Sequence, residues 1–131
     1  MKINRSTGYA LAALSHIVAK PKGEITLSQE ISKKHDIPLE YLLKIMQLMV
    51  RANILKSKRG PRGGFYLSRS LSTITLLEVI EAIEGPIEPS LGLEDVKSPG
   101  KMADNASKAY SGIIKDNCTA LRKVKLSSLV K

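Results

Sequence analysis

Tryptophan is absent from the 131 residues, phenylalanine occurs once and tyrosine four times. Ile, Leu, Val and Met must therefore do most of the packing, and a hydrophobic content of 43% is enough for them to form a core. Cysteine also occurs once, as Cys118. A lone thiol excludes an intramolecular disulfide and suits a reducing compartment, so a cytoplasmic location is expected. Long apolar runs are missing: none approaches the ~20 residues needed to cross a bilayer, and no membrane partner is expected. The first twenty residues, "MKINRSTGYALAALSHIVAK", begin basic and turn apolar, as a secretory leader does. They lack a small-residue cleavage site and are interrupted by His16 and Lys20, so they read as an amphipathic helix. Missing too are a nucleophile–base set, paired carboxylates in a recognisable frame, and any cluster with metal-ligand spacing. The two histidines, His16 and His35, are far apart in sequence; His16 reads as a packing residue, and His35, in the turn region, as either solvent-exposed or near phosphate. No enzyme, no metal and no cofactor are expected.

Acidic residues are scarce in one half only. Residues 1–70 hold 13 Lys/Arg against 4 Asp/Glu, whereas residues 71–131 hold 8 of each. The whole formal charge of +9 thus sits in the first half. Such segregation points to a basic N-terminal module that meets a polyanion and a neutral second half with another task.

Apolar spacing places the elements. Tyr9, Ala10, Ala13, Leu14, Ile17 and Val18 make one face of a helix from Ser6 to Val18. Thr26 with Gln29 three residues on resembles a capping box, opening a short second helix with Leu27 and Ile31 inward. After a turn at Asp36-Ile37, Pro38 suits the first turn of a third helix, where its missing N–H has no partner to lose. Leu39, Leu42, Ile45, Met46 and Met49 form the apolar stripe of that helix. "ILKSKRG" and "GFYLSRS" read as two strands of a hairpin. Thr75 and Glu78 form a second capping box, opening a helix that Gly85-Pro86 stops; its Glu78, Glu81 and Glu84 read as a solvated face. A linker spans 86–103, and from about Asp104 a longer helix carries Ala106, Tyr110, Ile113, Ile114, Leu121 and Val124.

The fold class expected is mainly α with a small β-hairpin: a winged helix-turn-helix over 1–85, the linker, and a C-terminal helical segment over 104–131. The third helix has a polar stripe opposite its apolar one: Glu40, Lys44, Gln47 and Arg51, at i, i+4, i+7 and i+11. In a major groove Lys44 or Arg51 could donate to guanine, Gln47 could pair with adenine and Glu40 could accept from cytosine. Tyr41 could reach a phosphate or pack on the first helix. In the hairpin, Lys56, Lys58, Arg59, Arg62 and Arg69 stand with no acid between them, matching a duplex that presents a phosphate every ~1.7 Å of axis. Gly60, Gly63 and Gly64 let that backbone come close. A nucleotide-phosphate loop is disfavoured, because such a loop leads into a helix and this one leads into a strand. At the N-terminus Lys2 and Arg5 are expected on the DNA backbone, with Ser6, Thr7 and Tyr9 in support.

In order, "STGYALAAL", "ISKKHDIPLEYLLKIMQLMVRANIL", "SKRGPRGGFYLSRS", "ITLLEVIEAIEGP" and "LSSLV" resemble the blocks of the IscR/NsrR/CymR repressors, the Rrf-two family. The likeness is close over residues 1–86 and looser beyond. The pattern usually has Gly where this chain has Arg62, which adds a charge at the wing tip. The resemblance implies a homodimer on double-stranded operator DNA, each subunit reading one half-site. It also implies a dimer seam along the C-terminal helix, with Tyr110, Ile113, Ile114, Cys118, Leu121 and Val124. Many members hold an iron–sulfur cluster on three cysteines between the "EGP" block and the long helix. Here that segment has neither Cys nor His, so no cluster is expected, and a partner protein or a small-molecule effector is left as the signal. The reading is a DNA-binding regulator, a repressor. The alternative is a basic module that binds RNA or a partner enzyme without reading DNA sequence.

Overall fold

The computed structural model describes residues 3–58 and 64–130. Helix α1 (Arg5–Val18) opens on Asn4, whose side chain accepts from the Ser6 N–H at 2.8 Å. Its inward face is Ala10, Ala13, Leu14 and Ile17, each no more than 5% exposed. The two alanines let neighbouring helices come close.

Helix α2 (Ser28–His35) ends on Asp36, which is left-handed at φ 53°. A short polar side chain tolerates that region at modest cost. Ser32 secures the turn from both sides: its carbonyl accepts from the Ile37 N–H at 3.1 Å, and its hydroxyl donates to the Ile37 carbonyl at 2.6 Å. Helix α3 (Leu39–Arg51) follows at once. Pro38, expected within its first turn, is one residue earlier: with ψ 127° it is the extended residue that caps the helix. At its other end α3 finishes in a Schellman motif. Asn53 is left-handed at φ 61°, Ile54 donates to Met49 at 2.9 Å and Asn53 to Val50 at 3.0 Å. That sharp exit aims the chain into strand β1 (Leu55–Lys58), which pairs antiparallel with β2 (Gly64–Leu67).

The expected capping box at Thr26 does not form. Leu27 is the N-cap of α2, without a side-chain bond. Thr26 instead adds a third, one-residue strand to the hairpin, its N–H and carbonyl bonding Phe65 at 2.9 and 2.8 Å. That pairing holds its hydroxyl one residue too early to cap. The close approach also explains Gly64, where a Cβ would lie 2.6 Å from the Thr26 carbonyl oxygen. The Thr75–Glu78 box forms as expected and opens helix α4 (Leu76–Glu84), which ends on Gly85 at φ 84°.

Helix α5 (Lys101–Arg122) starts three residues before the expected Asp104 and packs on α4. The chain then returns. The Leu76 N–H donates to Val124 and the Leu126 N–H to Ile74, both at 2.9 Å, so 124–126 flank the start of α4 as a strand would. Val124 therefore lies past the helix, and Leu126 joins the same core as α1 and α3. The end of the C-terminal segment, which the sequence set apart beyond a linker, is sewn into the winged-helix core.

One polar chain ties α1 to α2. Lys20 donates to Glu30 at 2.8 Å, Glu30 accepts from His16 Nε2 at 2.5 Å, and His16 Nδ1 meets His35 Nε2 at 2.9 Å. The two histidines, unrelated in the sequence, are thus hydrogen-bonded partners. Because a carboxylate can only accept, His16 carries its proton on Nε2 toward Glu30. The hydrogen bonds from Lys20 and then His16 hold the Glu30 carboxyl below its ordinary pKa.

Two outcomes are expected from these contacts. The Thr26 hydroxyl is buried without a partner among the described residues, and such a group costs about 1–3 kcal/mol. Thr26→Val, which keeps the shape and the backbone bridge, should stabilise the fold by about 1 kcal/mol, read as a higher thermal midpoint. A depressed carboxyl contributes stability above the ordinary carboxylate range and loses it as pH falls through the lowered value. Wild type should therefore be more stable than Glu30→Gln at neutral pH, and the gap should close in acid, as urea midpoints at the two pH values would show.

Candidate nucleic-acid interface

Burial of one face of α3 decides what its other face presents. Leu42, Ile45, Met46 and Met49 are at most 2% exposed. Since successive residues turn by about 100°, Glu40, Lys44, Gln47 and Arg51 must point away, and all four are exposed. Leu43 is exposed on the same side at 38%. The sequence reading passed over it, because a lone leucine between polar positions carries no periodic signal. Glu40 is the only acid within α3, and Pro38 stands exposed at the entrance to the helix.

Tyr41 performs the packing task foreseen for it while keeping its hydroxyl near solvent. Its ring meets Tyr9 edge to face, centroids 5.7 Å apart, and its hydroxyl lies 2.6 Å from Ser6 Oγ. The first turn of α1 is thereby fastened beside α3. Arg5 is exposed there, and Ser6 and Tyr9 are half-buried. Thr7 departs from its expected role. It is 2% exposed and its hydroxyl donates to Glu84 at 2.6 Å, so it has nothing to offer a phosphate. Lys2 lies outside the described residues.

Lys56 and Lys58 alternate onto one side of β1 and are exposed. Arg59, Arg62 and Gly63, the expected wing tip, lie outside the described residues. Arg69 is withdrawn from the basic set. Its guanidinium donates to the carbonyls of Asn53 and Thr73 and pairs with Glu78 at 3.2 Å, bracing the exit of α3 against α4. The supposed solvated acids of α4 are likewise engaged. Glu78 closes the capping box, Glu81 accepts from the Ile87 N–H at 3.2 Å, and Glu84 accepts from Thr7 and Asn4.

On α5 two apolar stripes run side by side. Tyr110, Ile114, Cys118 and Leu121 lie on the one that faces the rest of the chain; Ile114 is 4% exposed and the others are half-buried. The second stripe is Met102, Ala106, Ala109, Ile113 and Ala120, all exposed, with Met102 at 86% and Ile113 at 59%. Of the residues expected in a dimer seam, only Ile113 points outward. Among the described residues no three His, Cys, Asp or Glu side chains converge as a metal site, and no helix is long and apolar enough to cross a membrane.

Comparison with known proteins gives this geometry its context. The family described as "Rrf2: Iron-dependent Transcriptional regulator" matches residues 3–131. The chain is 30% identical over 135 residues to a Rhodopseudomonas palustris protein assigned as the HTH-type transcriptional regulator BadM, covering 100% of this chain and 82% of that one. It is 27% identical over 136 residues to the HTH-type transcriptional regulator IscR of Cereibacter sphaeroides, covering 100% and 88%. Its fold matches CymR, the global cysteine regulator of B. subtilis, with a TM-score of 0.72 at 24% identity, over 98% of this chain and 95% of that one. Oxidised Staphylococcus aureus CymR gives 0.75 at 18%, over 100% and 97%. A helix-turn-helix with a hairpin wing, a polar recognition face and a family match over nearly the whole length lead to one conclusion: the chain belongs to the Rrf2 family of DNA-binding, winged-helix transcriptional regulators, which are not enzymes.

Proposed function

We propose that the protein is a repressor that binds a palindromic operator as a homodimer, with α3 of each subunit in a major groove and the hairpin on the flanking backbone. The observation that carries this reading is the outward face of α3, where Glu40, Lys44, Gln47 and Arg51 stand exposed between the first turn of α1 and the basic strand β1. Leu43 adds an apolar contact suited to a thymine methyl. The exposed stripe of α5 supports the dimer. Its alanines would let two such helices approach closely, with Met102 and Ile113 supplying apolar area. Two α3 helices held by that seam would meet half-sites about 10–10.5 base pairs apart, or a multiple of that.

The family description names iron, and the family resemblance implies a cluster held by three cysteines in many members. The residues here do not fit one: Cys118 is the only cysteine, and the segment between α4 and α5 has no Cys or His. We therefore assign the signal to something other than such a cluster, a small molecule or a partner protein.

Selection from random duplexes followed by fluorescence anisotropy tests the reading. Affinity for the selected site should fall steeply with salt, the log–log slope being about −0.9 per phosphate neutralised. Arg59→Ala with Arg62→Ala should weaken all duplexes alike. Lys44→Ala should instead relax preference at one base position, a loss of about 1–3 kcal/mol against the right base. Equal binding of selected and scrambled duplexes would reject sequence reading and leave a basic module for RNA or another polyanion. Ile113→Glu should turn a dimer into a monomer in sedimentation analysis and weaken binding to a two-half-site duplex far more than to one half-site.

A further inference from the structure

Glu84 is the last residue of α4. A carboxylate there faces the negative end of its own helix dipole, which is unfavourable. Its partners explain the placement. One oxygen, Oε2, accepts from Thr7 Oγ1 at 2.6 Å and from the Asn4 N–H at 3.2 Å, both at the positive start of α1. Asn4 in turn caps α1 through the Ser6 N–H at 2.8 Å. Ser6 Oγ lies 2.6 Å from the hydroxyl of Tyr41 on α3. An unbroken run of hydrogen bonds and adjacent residues thus joins the C-terminal end of α4, on which α5 packs, to the recognition helix.

We propose that Glu84 is a positioning residue for DNA recognition: it locks the first turn of α1, with Arg5 and Ser6, in register with Tyr41 and the outward face of α3. This rests on the reading that α1 and α3 face DNA. Two effects of removing Glu84 have opposite signs, which separates positioning from charge. Deleting a carboxylate beside a DNA-binding surface should by itself tighten binding to a polyanion. Releasing the first turn of α1 should weaken it.

The experiment compares Glu84→Ala, Glu84→Gln and Thr7→Val on a duplex selected by the wild-type dimer, with thermal midpoints recorded on the same samples. The glutamine keeps an oxygen that accepts from both Thr7 and Asn4 while losing the charge. It should bind as tightly as wild type or more tightly. Glu84→Ala, which loses the bonds from both Thr7 and Asn4, should bind about tenfold more weakly. Thr7→Val, nearly isosteric in its buried site, should weaken binding in the same direction and add little to Glu84→Ala when combined, because the two act through one bond. Should Glu84→Ala fail to fold, the contrast between Glu84→Gln and Thr7→Val carries the test. Binding by Glu84→Ala that equals or exceeds wild type would overturn the proposal, as would a glutamine variant as weak as the alanine. Failure of the wild type itself to bind any duplex would overturn the DNA reading on which it rests, a distinct result.

Discussion

Burial of the α3 stripe is the constraint on which the rest depends. Leu42, Ile45, Met46 and Met49 share one core with Ala10, Ala13 and Ile17 of α1, and this fixes the rotation of α3 about its own axis. A turn of one residue would swing the outward stripe by about 100° and put Glu40 or Lys44 into the core. Each buried side chain of this kind contributes about 1.5–3 kcal/mol, so the rotation is strongly set. The chemistry of the outer face is thereby presented, whereas a loop could only offer it transiently.

The remaining contacts brace that helix at both ends. Ser32 and the left-handed Asp36 make the tight entrance; the Schellman motif at Asn53 and the Arg69 guanidinium make the exit. The hairpin is held against the domain by the Thr26–Phe65 bridge, which is why Gly64 has no side chain to spare. α1 is braced twice, to α2 through Lys20, Glu30 and the two histidines, and to α4 through Glu84. These polar ties orient helices whose apolar faces alone would allow some sliding.

Much of this was legible in the sequence. Periodicity alone located the helices, because each buried stripe recurs every three or four residues and the opposite stripe of α3 is wholly polar. Thr75 with Glu78 identified a true capping box, since that motif is local. Thr26 with Gln29 showed the same pattern and failed, because a long-range pairing with Phe65 claims the threonine. Thr7 and Glu84 were misread for the same reason: their partners are distant in sequence, and no local pattern announces them. His16 is buried and His35 exposed as expected, but their pairing was hidden in the same way. On α5 the two stripes share one helical period, so apolarity could not tell which faces the chain; Tyr110, Ile114, Cys118 and Leu121 face inward, and the small residues Ala106 and Ala109 outward. The expectation of no three-cysteine cluster was the reverse case, resting on residue identity alone, since Cys118 is the one cysteine.

The account stands on the claim that the outward face of α3 is the surface that meets DNA. Amide chemical-shift mapping of the labelled protein, titrated with a selected duplex, tests it most directly. The account predicts the largest shifts at Glu40, Leu43, Lys44 and Gln47, with further shifts at Arg5, Lys56 and Lys58 and none along Met102, Ala106, Ala109 and Ile113. Shifts confined to α5 or to the back of the domain, with α3 silent, would contradict it.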